Sequence, residues 1–224
     1  MNQELEESRF QIIEHLSRAI EGRDKHTGLH VQRVSRYAFV IGKFLGEQRQ
    51  HANVIGHSQE DIQKFCRILE SAVLMHDVGK VAIPDSILLK PGRPNAKERE
   101  ILNTHPEKGA KIFDGAEDKL LQTARVIALM HHEFWNGKGY PNKIKGEDIL
   151  LVGRICAVAD VFDALTSERP YKPAWPFEKA IAKIQEGSGE EFDPAVVRAF
   201  LAKQDEIRRI MNENRDDPLP IAPS

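Results

Sequence analysis

Cysteine is scarce in this chain: Cys66 and Cys156 are the only two, and no C-x-x-C spacing occurs. They lie far apart, each in a segment that reads as an apolar helix. Both are therefore expected to be reduced core thiols, and neither a disulfide framework nor a thiolate metal site is indicated. A surplus of one charge is also missing. The formal net charge is -2, which removes the electrostatic case for wrapping a nucleic acid polymer, since that requires a strongly basic face. Any anion must be held by local cations. No apolar run approaches the length that spans a bilayer. Met1 to Ser8 is acidic and polar with nothing apolar behind it, so a signal peptide is not expected and a cytoplasmic address is. A membrane-bound parent of which this is a piece stays open. Alternating strand patterns of useful length and internal repeats are lacking as well.

What is there is helical periodicity. With 224 residues, 41% hydrophobic and 29% charged, the chain can bury one sizeable core and is short for two domains. Phe10, Ile13, Leu16 and Ile20 mark one face of a first helix, and Val31, Val34, Ala38, Ile41 and Leu45 one face of a second. Between them lies a break at Gly22 to Gly28. Gly46 to Ser58 reads as a loop. Ser58, with Asp61 at the capping-box position, starts a third helix that runs through Ile62, Phe65, Ile68, Leu69 and Val73 to His76-Asp77. Pro84 to Pro94, with Gly92, is expected to be irregular. Further helices are expected at about Ala96 to Phe113, Glu117 to His132, Ile149 to Ser167, Pro176 to Gln185 and Pro194 to Asn212. The expected fold is all-α: an N-terminal helix over 1–20, a main domain over 21–213, and a proline-containing disordered tail over 214–224.

Along these helices fall His30, His76-Asp77, His105, His131-His132 and Asp160. Imidazole and carboxylate together are the ligand set of a hard-to-borderline divalent metal. Singly, the signals are weak. Adjacent residues on a helix point about 100° apart, so His76 and Asp77 are not a chelating pair of the i, i+4 kind, and a lone His-Asp at a helix end is usually a capping pair. Their setting changes the balance: Gly79 permits a tight turn and Lys80 adds a cation beside the carboxylate. His131-His132 is followed by Gly137-Lys138-Gly139-Tyr140-Pro141, and a buried pair of rings without partners would be costly.

In Leu74-Met75-His76-Asp77-Val78-Gly79-Lys80, His131 to Pro141, and Ala159-Asp160-Val161-Phe162-Asp163-Ala164-Leu165, the chain resembles the HD-GYP family, metal-dependent phosphodiesterases of bacterial cyclic di-GMP signalling. The resemblance runs from about Glu21 to about Phe200. It implies an HD-type helical bundle with a metal site in its core: one metal on His30, His76, Asp77 and Asp160, a second on His105, His131 and His132, with Asp77 bridging. Two such metals clamp the attacking and departing oxygens of a phosphoryl displacement and supply a nucleophile from water near neutral pH. Iron or manganese suits these ligands, although ligand type alone does not exclude zinc, cobalt or nickel. His26 stands where some relatives have a Glu that recruits a third metal and others a Tyr. It is either a third-metal ligand or a loop residue at the entrance.

The resemblance also implies substrate contacts. Lys80 would hold the scissile phosphate or assist the leaving oxygen, and Arg169 and Lys172 match positions used for substrate phosphate. Tyr140 would stack on a base or donate to a phosphate. Asp163 is counted with the substrate group and, lying on the face of Asp160, as support that orients a ligand or Lys. Asp24, Arg33 and Glu133 are further supporting candidates, while His15, His51 and His57 are left out. The expected activity is hydrolysis of cyclic di-GMP to the linear dinucleotide pGpG and on to GMP. Alternatives are another cyclic dinucleotide such as cyclic GMP-AMP, or a non-catalytic module that senses the dinucleotide or docks diguanylate cyclase domains through the Gly-Tyr-Pro loop. The amphipathic first helix suggests continuation from an upstream regulatory domain. The oligomeric state stays open, a homodimer included.

Overall fold

The computed structural model describes residues 2–22, 29–49, 51–168 and 173–213. Its elements are helices: α1 Asn2–Glu21, α2 Leu29–Glu47, α3 Ala52–Ile55, α4 Gln59–Val73, α5 Asp85–Leu88, α6 Ala96–Leu102, α7 His105–Ile112, α8 Lys119–Met130, α9 Leu151–Thr166, α10 Phe177–Glu186, α11 Pro194–Ala202 and α12 Gln204–Glu213. Among the described residues no strand forms, only an isolated bridge between Ser188 and Phe192. The all-α expectation therefore holds.

The boundaries follow local chemistry. Ser58 Oγ accepts from the Asp61 amide at 3.1 Å while the Asp61 carboxylate accepts from the Ser58 amide at 3.1 Å, which is the expected capping box at the start of α4. Asp118 and Asp193 cap α8 and α11 in the same way, through side-chain oxygens that accept from first-turn amides. Three expectations need correction. The single helix expected over Ala96 to Phe113 is broken at Asn103-Thr104, because Pro106 in the first turn of α7 has no N–H to continue the α6 ladder. The last expected helix breaks likewise, at Lys203, into α11 and α12. The two segments expected to be irregular each hold a single helical turn, α3 and α5.

α2 is the central element, packed on α4 and α9 and flanked by α1, α11 and α12. Its Val34, Tyr37, Ala38, Ile41 and Leu45 join Leu69, Val73, Ile127, Ile155, Phe162 and Phe200 in one core. Cys66 and Cys156 are buried and free, as expected, and burial pushes the Cys66 thiol up to about 12. Leu16, expected on the inward face of α1, is instead 61% exposed; the buried line of that helix runs through Ser17 and Glu21. No helix among the described residues is long and apolar enough to cross a membrane.

Candidate metal centre

Buried histidines and carboxylates from several elements converge at one place. α4 ends at Val73 and residues 74–77 form a turn before a 3-10 segment, Val78–Ala82. Because the chain has left the α-helix, His76 and Asp77 are not fixed about 100° apart as helical neighbours would be. His76 Nε2 stands 3.5 Å from Asp77 Oδ2, close enough for both to face one site although they are adjacent in sequence. The 3-10 segment lies against the N-terminal end of α7. A methyl group on Gly79 would meet the His105 carbonyl oxygen at 1.9 Å and the Gly109 nitrogen at 2.5 Å. This close approach brings His105 Nε2 to 3.1 Å from Asp77 Oδ1. His131 and His132 follow the end of α8. Their Nε2 or Nδ1 atoms form one group with Asp77 and His105 in which all ligand atoms lie within 4.8 Å of one another. His131 Nε2 is 3.7 Å from Asp77 Oδ1 and 3.4 Å from His105 Nε2.

On the other side, His30 Nε2 from α2 lies 3.4 Å from Asp160 Oδ1 of α9, which is 3.9 Å from His76 Nε2. The structure thus brings together His30, His76, Asp77, His105, His131, His132 and Asp160. It also adds Glu21, which the sequence reading missed: Glu21 forms a second compact group with His30, His76 and Asp77. One signal was available for it. Glu21 is a carboxylate at the C-terminal end of a helix, where the macrodipole disfavours negative charge.

Ring orientation is set from behind. His76 Nδ1 donates to the Val73 carbonyl at 2.9 Å, His105 Nδ1 to Leu102 at 2.8 Å, and His131 Nδ1 to Ile127 and Ala128 at 3.0 and 3.1 Å. Those bonds place the proton on Nδ1 and leave Nε2 as a lone pair directed into the cluster. His30 is held differently, with Nδ1 2.7 Å from Asp163 Oδ2. Asp163 is fully buried and also receives Arg33 Nε at 2.6 Å, Arg33 NH2 at 3.0 Å and Ser167 Oγ at 2.9 Å. This corrects its place in the substrate group: a carboxylate enclosed by three protein donors has no surface to offer a ligand. It supports His30, and Arg33 supports it.

Charge divides the site. Burial alone would depress His30, yet Glu21, Asp160 and Asp163 hold its imidazole well above the ordinary value. Burial, with neighbouring imidazoles, pushes His131 and His132 down. Asp77 would be raised by burial, but Lys80, with Nζ 2.8 Å from Asp77 Oδ2, and the histidines hold it well below the usual carboxylate range.

A divalent cation fits these residues. The donors are nitrogen and oxygen without a cysteine, and His76 Nε2, Asp77 Oδ1 and both Glu21 oxygens are buried with no hydrogen-bond partner. Such atoms are costly unless something compensates them.

Tyr140 borders the cluster, stacked on His132 with centroids 4.7 Å apart and an interplanar angle of 25°. Burial and the nearby Asp77 and Asp160 charges raise its phenol above the ordinary value, so it remains a proton donor. Gly139 lets this loop fold back, since a methyl there would stand 2.3 Å from the Phe134 nitrogen. Glu133, buried, accepts from the Asn142 amide at 2.6 Å and so fixes the loop rather than a histidine. His26, Asp24, Arg169 and Lys172 lie outside the described residues.

The profile of a family described as "HD domain" matches residues 8–196. The chain belongs to the HD domain family. Among HD relatives it is 42% identical over 218 residues to a cyclic di-GMP phosphodiesterase of Vibrio cholerae serotype O1, covering 95% of this chain and 43% of that protein. It is 40% identical over 210 residues to the cyclic di-GMP phosphodiesterase response regulator RpfG of Xanthomonas campestris pv. campestris, covering 94% and 52%. It is also 40% identical over 204 residues to the 3'3'-cGAMP-specific phosphodiesterase 2 of Vibrio cholerae, covering 91% and 36%. The chain thus spans about half the length of these relatives or less. A crystal structure of the cyclic GMP-AMP phosphodiesterase V-cGAP3 of Vibrio cholerae superposes with a TM-score of 0.54 at 21% identity, covering 91% of this chain and 54% of that one. Bd1817, an HDG"Y"P protein of Bdellovibrio bacteriovorus, does so at 0.55 and 17% identity, covering 80% and 51%. Both share the HD fold.

Proposed function

We propose that this chain is the catalytic domain, over residues 21–213, of an HD-GYP phosphodiesterase that hydrolyses cyclic di-GMP to linear pGpG and on to GMP. The observation that carries the reading is the buried histidine-carboxylate cluster with Lys80 at its edge, in a chain whose relatives at about 40% identity are named for this activity. One cation belongs to His30, His76, Asp77 and Asp160, and another to His105, His131 and His132, with Asp77 shared. Iron or manganese is the fitting occupant, because the donors are imidazole and carboxylate. When bound, the pair supplies an activated water and neutralises charge on the phosphate under attack.

The protein's part is positional. Asp77 keeps Lys80 beside the cluster, where its ammonium meets a phosphate oxygen and stabilises charge on the departing oxygen. Tyr140, protonated and fixed against His132, donates to a second phosphate oxygen. Arg169 and Lys172 hold the distal phosphate, so replacing each by alanine should weaken substrate binding while leaving metal content intact. A third cation at His26 is retained as part of this reading. The enzyme acts in the cytoplasm, consistent with its free cysteines. Docking of diguanylate cyclase domains on the Gly-Tyr-Pro loop and a homodimer are compatible with it.

A second reading, hydrolysis of cyclic GMP-AMP, is favoured by the relative at 40% identity that is named for that substrate. Elemental analysis of anaerobically purified protein, paired with chromatography of products from a panel of cyclic dinucleotides, decides between them. Linear product from cyclic di-GMP supports the first reading and linear product from cyclic GMP-AMP alone the second. Metal-loaded protein that yields neither is a binding module.

A further inference from the structure

α1 ends on a carboxylate at the pole of the helix where an anion is least welcome. Glu21 is nevertheless 3% exposed, and neither Oε1 nor Oε2 accepts a hydrogen bond. Oε1 stands 3.6 Å from His30 Nε2, a nitrogen that is also 3.4 Å from Asp160 Oδ1. At 3.6 Å the pair is too far apart to hydrogen-bond. His76 Nε2, in the same group, is likewise buried without a hydrogen-bond partner. Donor atoms of unlike residues separated by 3.4 to 3.6 Å are spaced as neighbouring ligands of one ion, which at bond lengths of about 2.1 Å lie roughly 3.0 to 3.4 Å apart.

We infer that Glu21 is a protein ligand of the cation held by His30, His76 and Asp77. With Asp160, that half then offers two imidazoles and three carboxylates. Five protein donors suit an ion that accepts six ligands, Mn2+ or Fe2+, better than Zn2+, which is usually four-coordinate. The inference rests on the metal reading given under Proposed function and extends it to a residue from a different helix. It also gives α1 a task in the site, through its last residue.

The test titrates Mn2+ into chelator-treated full chain and follows free Mn2+ by electron paramagnetic resonance, for wild type, Glu21→Gln and Glu21→Asp. Wild type should take up two equivalents tightly. Glu21→Gln should keep one and bind the other about tenfold more weakly or worse, the scale on which even outer-shell partners matter. Glu21→Asp, a methylene shorter with its charge intact, should fall between. Glu21→Gln should also lose part of the Mn2+-dependent rise in melting temperature that wild type shows. Equal stoichiometry and equal midpoints for wild type and Glu21→Gln would overturn the inference and leave Glu21 as a counter-charge to His30. Should the glutamine variant not fold, unchanged affinity in Glu21→Asp overturns it equally. A wild type that takes up no Mn2+, Fe2+ or Zn2+ would sink the metal reading itself, so the two failures are distinct.

Discussion

The two flanks of the histidine cluster are held in place by different means. His76, His105 and His131 each donate to a carbonyl three or four residues earlier, so their anchors come with the helix ends that carry them. The ring of His30 is instead fixed by Asp163, 133 residues away, within a buried network of Arg33 and Ser167. A local anchor forms once its helix end forms. The long-range anchor exists only when α2 and α9 pack in register, and it depends on charge. The first flank should therefore tolerate changes in pH and metal content, whereas the second should respond to both.

Asp77 is where the flanks meet, and its replacement should have the largest effect. Asp77→Ala should remove metal and phosphodiesterase activity together, read by elemental analysis and product chromatography; full metal retention would show that the flanks do not share this carboxylate. Next comes the long-range anchor. Asp163→Asn removes the buried carboxylate charge that pairs with Arg33 and His30, and breaking such a buried pair should cost roughly 3 to 5 kcal/mol in denaturant unfolding. It should also loosen the cation at His30 while sparing the one at His105. No equivalent substitution exists on the other flank, because its acceptors are main-chain carbonyls.

The same carboxylate gives the pH dependence. Arg33 and His30 hold Asp163 below its ordinary value despite burial. Its folded value is thus lower than its unfolded one, and its stabilisation is present above about pH 3.9 and lost as pH falls through the folded value. The stability gap between wild type and Asp163→Asn should close in that acidic window. A gap that does not change down to the acid transition would mean that the network is held by packing and not by charge.

Lys80→Ala should keep both cations and lower turnover by about 10²- to 10³-fold, as expected for removal of one preorganised donor to developing charge. Steady-state kinetics on the metal-loaded variant checks this. The smallest effect is expected from Ser58→Ala, at the far end of the helix that leads to His76. It should cost about 1 kcal/mol of stability without altering metal stoichiometry, because the His76 anchor lies at the opposite end of α4.

Most of the cluster could be read in the sequence because its members have distinctive neighbours: Gly79 and Lys80 after His76-Asp77, and the glycine-bounded loop after His131-His132. What stayed hidden depended on depth and on backbone breaks. Asp160 and Asp163 share a helical face, but periodicity does not say that one opens to the cluster while the other is sealed against Arg33. The apolar pattern runs through Asn103-Thr104 without interruption, so the break that places His105 at a helix start was legible only in the proline that follows. Glu21 lies nine positions before His30, on a different helix, and no local motif joins the two.

Gly79 gives the spacing of the site a main-chain origin. The turn bearing Asp77 touches the helix bearing His105 backbone to backbone, with no side chain between them to compress or repack. The gauge of this flank is therefore fixed by peptide geometry. Exchanging ligand side chains can retune affinity and metal preference over a wide range, but the distance across which the carboxylate of Asp77 reaches the imidazole of His105 will be inherited unchanged.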